Sequence, residues 1–274
     1  MSVQAAQTQY PGAGQAERAA PMHRGEAPFG PLFWFAWRDY ARSPWLWINL
    51  GILMVVQFFF QSETPTREEF FGAAYLTALL LGALNSAAVF SRADHPQTMA
   101  VLVRPVSRVA YAGALWLVAM LVTLGAYVIT LAASLLRHGP PLQPLNPVNQ
   151  WMQDPLVFLT GTLPVIAGAA LAVSLLALLS NFVAPFGLRL VVLAVVALMV
   201  MSFDPRNFLI EQLRPIVQYL PPFVAPVAGA LRFATEPAID PLAVISLIMV
   251  SAYAVAILAV VLWLASRREH HLEG

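Results

Sequence analysis

Acid–base or metal chemistry in this chain would have to come from 5 histidines and 14 carboxylates, because cysteine is absent. The 15 other basic residues are all arginine. Without lysine there is no amine for a Schiff base and no P-loop lysine to hold the β- and γ-phosphates of ATP. Without cysteine there is no disulfide, thiol nucleophile or thiolate metal site. The histidines do not converge: His23 lies in the N-terminal stretch, His95 and His138 flank different apolar runs, and His270 and His271 stand near the C-terminus. A catalytic zinc needs about three converging ligands, and no His-Glu-x-x-His pair occurs. Glu68 and Glu69 adjoin the start of an apolar run, where anchoring at a membrane boundary accounts for them. No Gly-x-Ser-x-Gly signature points to a hydrolase. No catalytic, cofactor-binding or metal-binding residue is expected in this chain.

The elements that would position any site are set by lipid. Charged residues make up 11% and hydrophobic residues 59%, against about 25% charged in soluble domains. A net charge of +1 argues against nucleic acid as a partner. Crossing about 30 Å of hydrocarbon takes about 20 apolar residues. Runs of that kind fall at about 44–60, 70–90, 109–136, 156–179, 188–203 and 242–265, predicting an all-α protein of six transmembrane helices. A further apolar stretch, 216–231, is broken by Pro221, Pro222 and Pro226. It is expected to form one or two short helices dipping into the outer interface, within an outer region 204–241. Residues 1–28, rich in Ala, Gln, Gly and Pro, read as a disordered cytoplasmic tail without a signal-peptide core. The membrane domain is expected over 29–268, and 269–274 as a cytoplasmic tail. With the N-terminus inside, Arg38, Arg42, Arg92, Arg104, Arg108, Arg189, Arg267 and Arg268 fall in the cytoplasm. Arg67, Arg137, Arg206, Arg214 and Arg232 fall outside, a positive-inside bias that a seventh span would weaken.

Two polar stretches interrupt this pattern. In "PLFWFAWRDYARSPWLW" (31–47), Phe33, Trp34, Trp37 and Ala41 recur at helical spacing beside Arg38 and Arg42, which predicts an interfacial amphipathic helix ended by Pro44. In "SRADHPQTMAVLVRPVSR" (91–108), Asp94 or His95 opens a short helix, Pro96 fits its first turn, and Pro105 stops it. Met99, Leu102 and Val103 form one apolar face, and Ser107 is placed to cap the next helix. Such a short helix lies on the membrane, seats in a groove on a cytoplasmic partner, or is a solvated loop.

"VLVRPVSRVAYAGALW" (101–116) resembles the corresponding loop of ABC transporter permeases of the six-span, exporter-type (type-two) class, through Arg104, Pro105, Val106, Ser107, Arg108 and Tyr111. "WRDYARSPWLW" (37–47) is similar to that family's N-terminal interfacial helix, and "YLPPFVAPVAGALR" (219–232) to its re-entrant outer helices. The family's Gly-Thr-Leu-Glu element appears as Gln97-Thr98-Met99-Ala100, without the glycine or the acid. The resemblance implies a permease subunit in the cytoplasmic (inner) membrane with both termini in the cytoplasm. It further implies a second permease copy or paralogue and a separate P-loop ATPase that binds ATP and Mg. The loop 91–108 would be the coupling helix seated on that ATPase, with Asp94, Thr98, Met99, Leu102, Val103, Arg104, Pro105, Ser107 and Arg108 as its residues. Trp34, Trp37, Arg38 and Arg42 would carry the interfacial helix.

No ionisable residue falls well inside a span, which disfavours proton relays and charged pores. The polar groups within the spans include Gln57, Asn85, Ser86, Thr123, Thr130, Thr160, Thr162 and Ser251, whose commonest use is hydrogen bonding between helices. Gln57, Asn85 and Ser86 are the candidates for a substrate path. So sparse a polar lining fits an amphipathic or lipid-like substrate. Two other functions stay open at this point: a non-transporting anchor that passes force from an ABC ATPase, and an integral membrane transferase or hydrolase.

Overall fold

The computed structural model describes residues 29–60, 66–93, 107–138, 154–201, 224–235 and 240–270, and among them every regular element is an α-helix. In chain order these are α1 (Phe29–Ala41), α2 (Pro44–Phe60), α3 (Arg67–Ala93), α4 (Arg108–His138), α5 (Pro155–Leu178), α6 (Phe186–Met201), α7 (Val224–Thr235) and α8 (Pro241–His270). Four of them, α3, α4, α5 and α8, are long and apolar enough to cross a membrane. Their 27, 31, 24 and 30 residues correspond to about 36–46 Å at 1.5 Å per residue. The runs expected at 44–60 and 188–203 are helical but shorter, with 17 residues in α2 and 16 in α6, or about 25 Å each.

The core is built where α3 and α5 run side by side, and small residues let them do so. A side-chain carbon on Gly161 would overlap the Phe71 ring, and one on Gly168 would stand 2.7 Å from the Tyr75 ring. Backbones approach this closely in membranes because packing, and not exclusion of water, drives helix association. α5 continues helical through Pro164, which is buried within it. α8 lies along α5 and α4, while α7 covers the junction of α3, α5 and α8. Within α7, Pro226 falls in the first turn, where a missing N–H costs nothing. Pro221 and Pro222 lie outside the described residues. α2 leans on the bundle through Leu53, beside Leu81 and Ala126, and α6 stands at the edge, touching the core through Val192.

Hydrophobic side chains also cover the outside, including Leu76, Leu80, Val128, Leu159, Ile248 and Val255. In water such a surface would aggregate, whereas in hydrocarbon it is solvated. The described helices thus define an integral membrane protein of the all-helical class.

Charge separates the two ends of the bundle. The C-termini of α3, α5 and α8 and the N-termini of α4 and α6 share one end, where Arg92 reaches Asp39 of α1, and Tyr111 of α4 meets Phe182 beyond α5. The N-termini of α3, α5 and α8 share the other, where Gly72 meets Thr235 and Gly229 meets Ser246. Among the described side chains, the first end carries Arg38, Arg42, Arg92, Arg108, Arg189 and Arg267 against Asp39. The second carries Arg67, Arg137 and Arg232 against Glu68, Glu69, Asp154 and Asp240.

Candidate functional site

At the arginine-rich end, α1 is held to the bundle by both charge and burial. Arg92 Nη1 donates to the Asp39 carbonyl at 2.8 Å and to its carboxylate at 3.1 Å. This fixes α1 against the last turn of α3, from which residues 94–106 depart. Those residues lie outside the described structure, and with them Asp94, Thr98, Met99, Leu102, Val103, Arg104 and Pro105 of the expected coupling segment. Ser107, at the far side of the loop, stands in the N-cap position of α4, its Oγ accepting the Ala110 amide at 3.4 Å. Arg108 begins α4. Phe29 of α1 lies against Gly113. The two ends of the 94–106 segment and the length of α1 therefore occupy one locality.

α1 turns one side to the bundle. Leu32, Ala36 and Tyr40 are buried, Phe33 and Trp37 flank them half-covered and stacked on one another, and Trp34 and Ala41 are exposed. Arg38 and Arg42 are exposed as well. In a lipid setting, bulky aromatics are as well placed facing outward at the interface, so hydrophobicity alone does not mark the protein-facing stripe.

Tyr40 leads into a buried polar network that joins four helices. Asn49 of α2 donates through Nδ2 to the Tyr40 hydroxyl and, at 2.6 Å, to Asn85 Oδ1 of α3. The Tyr40 hydroxyl donates to the same Asn85 oxygen at 2.9 Å. Asn85 Nδ2 donates to Thr123 Oγ1 of α4 at 3.0 Å, and Thr123 passes its own proton to the Ala119 carbonyl at 2.8 Å. The donors run in one direction, from Asn49 through Tyr40 and Asn85 to Thr123, and end on backbone. None of the four side chains is more than 4% exposed. Burial pushes the Tyr40 phenol up to about 12, partly offset by the Asn49 hydrogen bond and the nearby Arg92 charge; it is neutral, and a donor, at physiological pH.

The residues proposed from sequence for a substrate path are placed differently. Asn85 and Ser86 are both 0% exposed, and Ser86 Oγ donates to the Val173 carbonyl of α5 at 2.9 Å. They hold α3 to its neighbours and face no open space. Gln57 is on α2, with its side chain outside the described set. Of the other polar residues in the spans, Thr162 pairs with Tyr127 at 2.8 Å, whereas Thr130 and Ser251 donate within their own helices. Tyr40 and Asn49 were missed in the sequence. Tyr40 follows Leu32 and Ala36 at four-residue steps, and Asn49 is an isolated amide early in an apolar run; those were the available signals.

Among the described residues no group of histidines and carboxylates could hold a metal ion. A groove of about 280 Å³ opens between α4, α5 and α8, lined by Trp116, Ile166, Ala170, Ser251, Val255 and other apolar residues. Its polar atoms are already engaged: Trp116 Nε1 donates to Ser174 Oγ at 3.0 Å and Ser251 to the Leu247 carbonyl. α1, which is not among the long spanning helices, is thus fastened to the ends of α3 and α4. Compared with protein-family models, curated proteins and solved structures, the chain matches none.

Proposed function

We propose that this chain is the permease subunit of an ATP-driven ABC transporter, an exporter of an amphipathic or lipid-like substrate whose ATP hydrolysis is carried out by separate ATPase subunits. The observation that carries this reading is the clamp between α1 and the end of α3. Arg92–Asp39 and Tyr40–Asn85 bind the boundary helix to the helix that leads into residues 94–106. A push on that loop from below would therefore move α1 and α3 together, and through Asn85 and Thr123 would reach α2 and α4. In this mechanism the ATPase subunits close on ATP, residues 94–103 transmit the motion, and the loop makes different contacts in the two states.

The reading includes six spans, with α2 and α6 crossing as the first and fifth. The arginine-rich end faces the cytoplasm of the inner membrane, as positive-inside bias requires. α1 then lies on the inner boundary and α7 dips in from the outside. Two permease chains, identical or paralogous, pair above two ATPases. The resemblance of 101–116, 37–47 and 219–232 to such permeases supports the same assignment.

Hydrolysis is the test. The purified chain is expected to show no ATPase activity, and a P-loop ATPase without membrane spans is expected to copurify with it and to hydrolyse ATP in the complex. Robust ATP hydrolysis by this polypeptide alone would remove the proposal.

A further inference from the structure

Three helices at the arginine-rich end repeat one device, an exposed aromatic with an arginine one turn along. On α8 the Arg267 guanidinium sits over the Trp263 ring, 4.1 Å from its centroid, and on α6 Arg189 sits 5.5 Å from the centroid of Phe186. On α1, Trp34 and Arg38 have the same spacing as Trp263 and Arg267. The aromatics are open to the surroundings: Trp263 is 50%, Phe186 67% and Trp34 65% exposed. A guanidinium resting on a ring keeps its edge N–H groups for an anion, and their fork matches phosphate oxygens.

Arg189 adds a separate sign. Its Nε is buried and has no hydrogen-bond acceptor in the protein, and a buried N–H on a cation is costly to leave unpaired. Asp39, the carboxylate at this end among the described side chains, is engaged with Arg92. Among the described side chains, this end thus carries an excess of positive charge where the long apolar helices end.

We propose that this end seats the headgroups of anionic phospholipids, with phosphate on the Arg189, Arg267 and Arg38 forks and the first acyl carbons along Phe186, Trp263 and Trp34. The commitment to lipid over free phosphate rests on the rings, which offer an apolar wall that inorganic phosphate cannot use. A zwitterionic lipid carries its own cation beside the phosphate and gains less from an arginine cluster. The inference depends on the membrane-spanning helices and not on the transport reading.

The test uses the purified, delipidated full chain in neutral detergent, with lipid adducts counted by native mass spectrometry and melting followed by tryptophan fluorescence. Phosphatidylglycerol is expected to bind and to raise the melting temperature; phosphatidylcholine and inorganic phosphate are not. A near-surface arginine contributes about 1 kcal/mol toward anionic lipid, so Arg189→Gln or Arg267→Gln should weaken binding about fivefold. The triple Arg38→Gln, Arg189→Gln, Arg267→Gln variant should lose adducts at all three positions, each weakened about fivefold. Arg232→Gln, at the opposite end, should leave it unchanged. If the triple variant fails to fold, the single variants against Arg232→Gln decide the matter. Equal binding of the two lipids, equal stabilisation by inorganic phosphate, or parental binding by Arg189→Gln and Arg267→Gln would each overturn the proposal.

Discussion

Replacing Asn85 by leucine should strike the most connected residue of the membrane core. The side chain accepts from Tyr40 and Asn49 and donates to Thr123, so Asn85→Leu removes three interhelical hydrogen bonds while nearly preserving volume. Such bonds in membranes average about 0.6 kcal/mol each, reaching about 1.7, which gives about 2 kcal/mol. Asn49 keeps its bond to Tyr40, and Thr123 keeps the Ala119 carbonyl. The Tyr40 proton and one Asn49 N–H are stranded, and each orphaned buried donor adds about 1–3 kcal/mol. The expected loss is about 4–8 kcal/mol. Tyr40→Phe should cost less, because Asn49 and Asn85 remain bonded to each other. The decisive quantity is the coupling in a double-mutant cycle. Much of what Tyr40→Phe removes is already lost with Asn85, so the two changes together should cost less than their sum by about 1–2 kcal/mol. Unfolding in mixed micelles, followed by the fluorescence of the 7 tryptophans, supplies the three differences. A coupling below about 0.3 kcal/mol, the level of independent sites, would refute the network.

The packing of α5 on α3 makes Gly161→Leu destructive: the side chain must displace Phe71, and overpacking costs about 1–3 kcal/mol or more, read as a fall in melting temperature that Gly125→Leu, in open space, should not show. The raised pKa of Tyr40 gives a pH signature. Its folded value of about 12 exceeds the ordinary 10.0, so the contribution of the neutral phenol is complete below pH 10 and is lost as pH rises toward 12. The stability gap between parent and Tyr40→Phe should therefore be constant to pH 10 and narrow above it. Because the chain has no cysteine, topology is open to single-cysteine labelling with impermeant reagents. Positions Ser91, Ser180 and Ser266 should react from the cytoplasm, and Ser62, Gln150 and Thr235 from outside; reversal at 235 and 266 together would make the 216–231 region a true span.

The long spans were legible because nothing else explains the apolar runs that lie within α3, α4, α5 and α8, helices of 24–31 residues. Their rotation was not. In water, periodicity marks the buried face; in lipid, both faces of a helix are apolar, and the protein-facing side is marked by small and polar residues such as Gly161, Gly168, Asn85 and Ser86. Asn85 and Ser86, conspicuous in the sequence as candidates for a substrate path, are buried here and bonded to neighbouring helices. Tyr40 and Asn85 are 45 positions apart, and no local pattern connects them. Cap grammar transferred well at Ser107, since it is local: the hydroxyl accepts an amide of the first turn of α4.

The central claim is that residues 94–103 carry force from an ATPase, and one comparison addresses it directly. In the helix proposed for this segment, Met99, Leu102 and Val103 would share one face, with Ala100 about 100° from Met99 and about 200° from Leu102. An unpaired carboxylate buried in a partner groove costs several kcal/mol, and each about 1.4 kcal/mol is tenfold in an equilibrium constant. Leu102→Asp and Ala100→Asp are expressed to equal membrane levels, and ATPase copurification and ATP hydrolysis are measured for each. The account predicts that Leu102→Asp loses the ATPase by about a hundredfold or more, with insertion intact, while Ala100→Asp stays near the parent. Near-parental copurification and hydrolysis in both would contradict it and leave the stretch a solvated connector.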